Sequence, residues 1–136
     1  MEKIYLSWDE IEIAVENLAY QIKNSDKKIG SISGLARGGL IPAVILSHKL
    51  GIPFMSEDND SEGYVLIVDD ICDTGETLEY YTKYEYIITA TIHYKQSAIV
   101  KPDFYYSLAP RDKWIVYPWE QKDSKTIPDY AAKQIS

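Results

Sequence analysis

The stretch VLIVDDICDTGETL, Val65 to Leu78, decides how the rest of the chain is read. An apolar run, Val65–Val68, ends on two adjacent carboxylates, Asp69 and Asp70. A third acid, Asp73, follows within five positions, and then Thr74, Gly75 and Thr77. Carboxylates at the edge of a core are costly unless something pairs with them. A strand end that turns through Thr and Gly into a helix start offers unpaired N–H groups and the positive end of a dipole, which suits a phosphate dianion. The two preceding acids cannot bind that phosphate. They can accept hydrogen bonds from vicinal sugar hydroxyls, or hold Mg²⁺ directly or through water. A 5-phosphorylated ribose meets all of these groups at once. The plainer alternative is a solvated strand end with Asp73 as a helix N-cap.

Working outward, Ser7 and Glu10 form a Ser-x-x-Glu capping box, and Ile11, Val15, Leu18 and Ile22 recur at helical spacing. They predict an amphipathic helix over 8–24. IGSIS (29–33) reads as a short buried strand entering the Gly-rich turn GLARGG, and 40–50 as a helix stopped by Gly51. IPFM (52–55) is a further candidate strand, and the polar run 56–63 a loop. Residues 64–68 are the strand of the opening stretch, with a helix over 75–85 after it. YIITATIHY (86–94) is a β-branched strand, DFYYSL (103–108) another, and WIVYPW (114–119) is extended before Pro118. The tail from Gln121 reads as weakly structured. Alternating strands and helices imply parallel βαβ units, hence an α/β fold. The expectation is a mainly parallel, Rossmann-like sheet with helices on both faces, one domain over residues 1–136, and a small hood from about 103 to 120. Both Gly-containing turns then fall at the carboxyl ends of strands, where open α/β sheets bind ligands.

Composition narrows the function class. Hydrophobic residues at 46% and charged residues at 26% suit an ordinary globular protein. A net charge of -7 argues against nucleic acid or an anionic membrane as partner. Cys72 is the only cysteine, so no internal disulfide forms and a reducing compartment is expected. The first residues lack the pattern of a signal peptide, and no apolar run approaches the ~20 residues of a membrane span. Together these predict a cytoplasmic location.

Val65–Thr77 resembles, without a gap, the phosphoribosyl pyrophosphate signature of the type I phosphoribosyltransferases. The resemblance implies that Asp69 and Asp70 contact the ribose hydroxyls and the Mg²⁺ cofactor. It assigns Asp69, Asp70, Cys72, Asp73, Thr74, Gly75, Glu76 and Thr77 to phosphoribosyl pyrophosphate, with the 73–77 loop on the 5-phosphate. Asp73 would also sit near the base nitrogen that exchanges a proton, as a catalytic residue. Ser33–Pro53, with GLARGG, resembles the family's pyrophosphate loop. That adds Ala36, Arg37, Gly38 and Gly39 to the same ligand, with Arg37 a fixed cation for the leaving pyrophosphate. The family often has a non-proline cis peptide here, which would match Ala36–Arg37.

A looser likeness over 86–120 points to the xanthine-guanine and hypoxanthine-guanine enzymes. It places Lys95 on the O6 of a 6-oxopurine, Trp114 stacked on the base, and Ile115 offering backbone groups to the purine edge. The implied reaction is transfer of 5-phosphoribose from phosphoribosyl pyrophosphate to a purine base, by a homo-oligomer (dimer or tetramer). Solvation of Lys95 and core packing of Trp114 are the competing readings, and His48 and His93 read as structural. One departure stands out: the loop Met55–Gly63 is short and acidic, where the family's mobile loop is longer and often carries a Ser-Tyr pair. Two rival functions keep the same fold: a regulator that binds a nucleotide without turnover, and a transferase acting on a different base.

Overall fold

The computed structural model describes residues 1–54 and 62–120. In chain order its elements are β1 (Glu2–Tyr5), α1 (Trp8–Lys23), β2 (Ile29–Gly34), α2 (Leu40–Leu50), β3 (Tyr64–Cys72), α3 (Glu76–Tyr81), β4 (Ile87–Tyr94), β5 (Phe104–Leu108) and β6 (Lys113–Val116). β2, β3, β4 and β5 make an all-parallel sheet in that order, and β1 pairs in parallel with β6 in a separate two-stranded sheet. The α/β architecture is therefore the one expected.

α1 forms where its capping and spacing demand. The Ser7 hydroxyl accepts from the Glu10 N–H at 3.1 Å, and Ile11, Ala14, Val15, Leu18, Ala19 and Ile22 fall on one buried face. That face joins Ala43 and Leu46 of α2 and Leu66, Val68, Ala90 and Ile92 of the sheet in the main core. α3 lies over a smaller second core of Leu35, Ile67, Cys72 and Leu78, so both faces of the sheet are covered. α2 stops at Gly51, whose φ of 66° is a left-handed conformation that glycine adopts without a Cβ clash.

Four elements differ from the sequence reading. β3 does not end at Val68 but runs through both carboxylates to Cys72, because its ladder with β4 continues at Asp69–Thr91, Ile71–His93 and Cys72–Tyr94. α3 is six residues long rather than eleven: Thr82 turns its hydroxyl back onto the Glu79 carbonyl at 2.7 Å as the helix gives way to turns. Within the described part of IPFM, only Phe54 bridges to Ile32, although the Pro53 carbonyl accepts from the Ile32 N–H at 2.9 Å. The hood is also built differently. β5 belongs to the main sheet through β4, and the partner of β6 is β1, a strand at the opposite end of the chain that the sequence reading passed over. The 55–61 part of the short acidic loop, and the tail from Gln121, lie outside the described residues.

Candidate active site

The carboxyl end of β3 and the hood enclose a cavity of about 480 Å³, within the range of small-molecule sites. Asp69, Asp70, Cys72, Asp73, Thr74, Gly75 and Thr77 line one side of it, all from the opening stretch. Lys95, Trp114 and Ile115 line it as well, so seven of the residues expected at the donor share one cavity with the three expected at the base. Met1, Ile71, Leu78, Lys113, Tyr117 and Glu120 complete it and were not singled out from the sequence. Tyr117 and Lys113 flank the Trp-Ile pair closely enough for that segment to have pointed to them. Met1 could be found only by knowing that β1 pairs with β6.

The turn from β3 into α3 is held open by its neighbours. Gly75, not Asp73, stands at the N-cap of α3, with φ of 87°, and a Cβ there would lie 3.0 Å from the amide nitrogens of Ile99 and Val100. The N-cap explanation of Asp73 therefore fails. The Ile99 N–H donates to the Thr74 carbonyl at 2.8 Å and the Lys95 N–H to the Cys72 carbonyl at 3.0 Å. The segment after β4 is thus laid along the turn, the Glu76 N–H at the start of α3 donates to the Thr74 hydroxyl at 3.3 Å, and Gly75, Thr77 and Leu78 line the cavity. The same docking brings Lys95 Nζ to 3.0 Å from Asp73 Oδ1, with the lysine side chain 18% exposed and the carboxylate 60%. The pair holds a largely buried ammonium at the cavity wall against a carboxylate that stays open to solvent.

Asp69 and Asp70 are fixed locally. Asp69 Oδ1 accepts from the Asp70 N–H at 2.9 Å, and Asp70 Oδ1 from the Ile71 N–H at 2.8 Å. Cys72 turns its side chain into the second core, where its Sγ lies 3.5 Å from the Val100 carbonyl. Burial, with Asp69 and Asp73 adding to it, pushes the Cys72 thiol up to about 11, so it stays protonated and is no nucleophile.

The first Gly-rich turn meets the site from behind. The Ala36–Arg37 peptide is cis, as the resemblance suggested. Ala36, Arg37, Gly38 and Gly39 do not line the cavity, and neither does Glu76. Gly38 nevertheless abuts it: a Cβ there would fall 2.0 Å from Asp70 Oδ2, and one on Gly39 2.3 Å from the Val68 carbonyl. These glycines let the turn close directly on the carboxyl end of β3, while the Arg37 side chain stays exposed.

On the hood, Trp114 is 39% exposed, with Lys3 Nζ 5.7 Å from its ring centroid. Ile115 is buried in the main core. The cavity wall carries four acids (Asp69, Asp70, Asp73, Glu120) against two lysines (Lys95, Lys113). Among the described residues no group of three or more His, Cys, Asp or Glu is placed to hold a metal alone. A pair of adjacent carboxylates still suits Mg²⁺, which keeps several waters and shares its coordination with substrate phosphates.

A parallel α/β sheet with an acid pair and an amide-bordered turn at one strand end is the architecture of the phosphoribosyltransferase class. No family model matches the chain. It is 31% identical, over an alignment of 144 residues, to the xanthine-guanine phosphoribosyltransferase of Cereibacter sphaeroides, covering 85% of this chain and 86% of that protein. Among solved structures, a purine phosphoribosyltransferase from Pyrococcus horikoshii is similar with a TM-score of 0.77 and 34% identity, over 93% of this chain and 100% of that one. The xanthine-guanine-hypoxanthine phosphoribosyltransferase of Helicobacter pylori shares the fold at a TM-score of 0.76 and 20% identity, over 88% of this chain and 94% of that one. The chain belongs to the type I phosphoribosyltransferase family, alongside the xanthine-guanine enzymes.

Proposed function

We propose that this protein is a purine-salvage enzyme that transfers 5-phosphoribose from phosphoribosyl pyrophosphate to a 6-oxopurine, giving the nucleoside monophosphate and pyrophosphate. The observation that carries it is the single cavity lined both by Asp69–Gly75 and Thr77 and by Lys95, Trp114 and Ile115. In this reading Asp69 and Asp70 orient the ribose hydroxyls, and the amides of the 73–77 turn take the 5-phosphate. Lys95 leaves Asp73 to donate to the purine O6, Trp114 covers one face of the base, and Ile115 meets its edge. A ring nitrogen of the base bonds to the anomeric carbon as the bond from that carbon to pyrophosphate breaks. The proton lost from the base goes to Asp73, which Lys95 no longer engages.

The acid-rich wall supports a role for Mg²⁺, since a pyrophosphate entering beside Asp69 and Asp70 needs a cation between like charges. Those two residues would hold it. When bound, it neutralises charge on the leaving pyrophosphate. Arg37, on the turn behind Asp70, would reach the same group from outside the cavity. Cytoplasmic location belongs to the same proposal; among the described residues no helix is long and apolar enough to cross a membrane. A homo-oligomer belongs to it too. Tyr80, Tyr84 and Tyr86 are exposed and lie ring to ring, at 6.2 and 5.7 Å between centroids, which suits a face covered by a second copy.

The test is the product spectrum from guanine, xanthine, hypoxanthine, adenine and orotate, each with phosphoribosyl pyrophosphate and Mg²⁺. Pyrophosphate release with the 6-oxopurines alone is expected. Release only with adenine or orotate would move the acceptor, and binding of phosphoribosyl pyrophosphate without release for any base would leave a regulator.

A further inference from the structure

One tyrosine of the cavity wall has no role in the chemistry above, yet its hydroxyl ties the hood to two strands of the main sheet. Tyr117 follows directly after β6 and is 2% exposed. Its hydroxyl donates to the backbone carbonyl of Asp70 at 3.1 Å, and its oxygen lies 2.9 Å from Nδ1 of His93 on β4. With the phenolic proton given to Asp70, the contact to His93 requires an Nδ1–H donor, which fixes the imidazole tautomer. Burial keeps that ring neutral, as a single-donor role demands. The Tyr117 ring is itself pinned, stacked on Trp119 at 5.0 Å and 6°, and Trp119 in turn meets Trp8 of α1 at 5.9 Å.

The placement matters because β2 ends at Gly34, opposite Val68, so Asp70 lies beyond the last rung that β2 supplies. There the Tyr117 hydroxyl joins three elements: β4 through His93, β3 through Asp70, and the hood through its own backbone. β3 bears the ribose acids and the hood bears Trp114 and Ile115.

We propose that Tyr117 and His93 are a positioning pair that sets the Asp70 end of β3 against the hood, and so fixes the spacing between bound ribose and bound base. The proposal rests on the phosphoribosyl-transfer reading for its kinetic consequence but not for its structural one. Neither residue touches the reacting atoms; both act through Asp70. Misplacing reactants by a fraction of an ångström costs rate out of proportion to any loss of binding.

Tyr117→Phe keeps the ring, its stack and its burial, and removes both hydrogen bonds. The expected result is a fall of about tenfold in kcat, with KM for the 6-oxopurine close to wild type. His93→Leu, a volume-conserving change on the far side of the same oxygen, is expected to give the same split. Native-state hydrogen exchange is measured in parallel on wild type and Tyr117→Phe without substrate. Protection is expected to drop together at Asp70–Cys72 and at Trp114–Val116. A lowered melting temperature with unchanged kcat would overturn the proposal, since it would show the pair to be merely structural. If the wild-type protein turns over no base, the proposed function fails and exchange alone decides. Loss of protection in the hood with Asp70–Cys72 unaltered would then overturn the pair.

Discussion

At the scale of single residues, the site works through contacts that one atom can spoil. Lys95 is the clearest case: its ammonium lies 3.0 Å from Asp73 Oδ1, and in the proposed reaction it exchanges that carboxylate for the purine oxygen. Hydrogen bonds to charged groups contribute about 1.5–3 kcal/mol, so Lys95→Ala should raise KM for guanine or xanthine by about 10- to 100-fold. Steady-state kinetics with each substrate varied in turn will show whether KM for phosphoribosyl pyrophosphate stays near wild type, as it should. Gly38 tests the other side. An added methyl falls 2.0 Å from Asp70 Oδ2, so the carboxylate must move. Gly38→Ala should therefore raise KM for phosphoribosyl pyrophosphate by about tenfold, the equivalent of one charged hydrogen bond lost. The purine KM should change little, and the same kinetic series reads both.

At the scale of elements, the donor half of the site was legible and the acceptor half was not fully so. Asp69 to Thr77 are contiguous, so the end of β3 and the turn after it carry them together, and Gly38 and Gly39 share the other turn. Lys95 and Trp114 could be picked out as residue types, but what holds them could not. The hood strand β6 finds its partner in β1, with Glu2 opposite Lys113 and Tyr5 opposite Val116. Nothing local in EKIY announces that pairing. His93, read as structural, is buried and hydrogen-bonded to Tyr117, a partner just past β6 that its own segment could not announce. β3 ran longer than its apolar stretch because ladder pairing with β4, not hydrophobicity, sets where it ends. Removing residues 2–5 should therefore abolish guanine binding while phosphoribosyl pyrophosphate still binds the strand-end turn. Titration calorimetry with each ligand separates the two, and far-UV circular dichroism should report the main sheet intact.

At the scale of the whole molecule, the junction between the two sheets sets an acid limit on stability. Burial holds the His93 imidazole down at about 4, against an ordinary value of 6.5. Between those two values the unfolded chain binds a proton that the native state refuses, so stability rises with pH there and is lost as pH falls from 6.5 toward 4. From pH 7 to pH 5 the loss from this one group is about 2 kcal/mol. Urea unfolding of wild type and His93→Leu at the two pH values should show the wild type losing that much more than the variant. Equal losses would remove His93 as the source.

The separation of the two sheets also bears on how such a protein can change. On the proposed reading the donor turn sits at the end of the four-stranded sheet, while Trp114 and Ile115 of the base side belong to a ribbon of two short strands that shares the main core with that sheet through Ile115 and Tyr117. If the base binds there, substitutions at exposed positions such as Trp114 would reshape the pocket for a new base and leave the ladder of β2, β3, β4 and β5 in place. On that reading acceptor choice would be more open to change than donor choice, and a lineage of such enzymes could diversify its nucleobases while its sugar donor stayed the same.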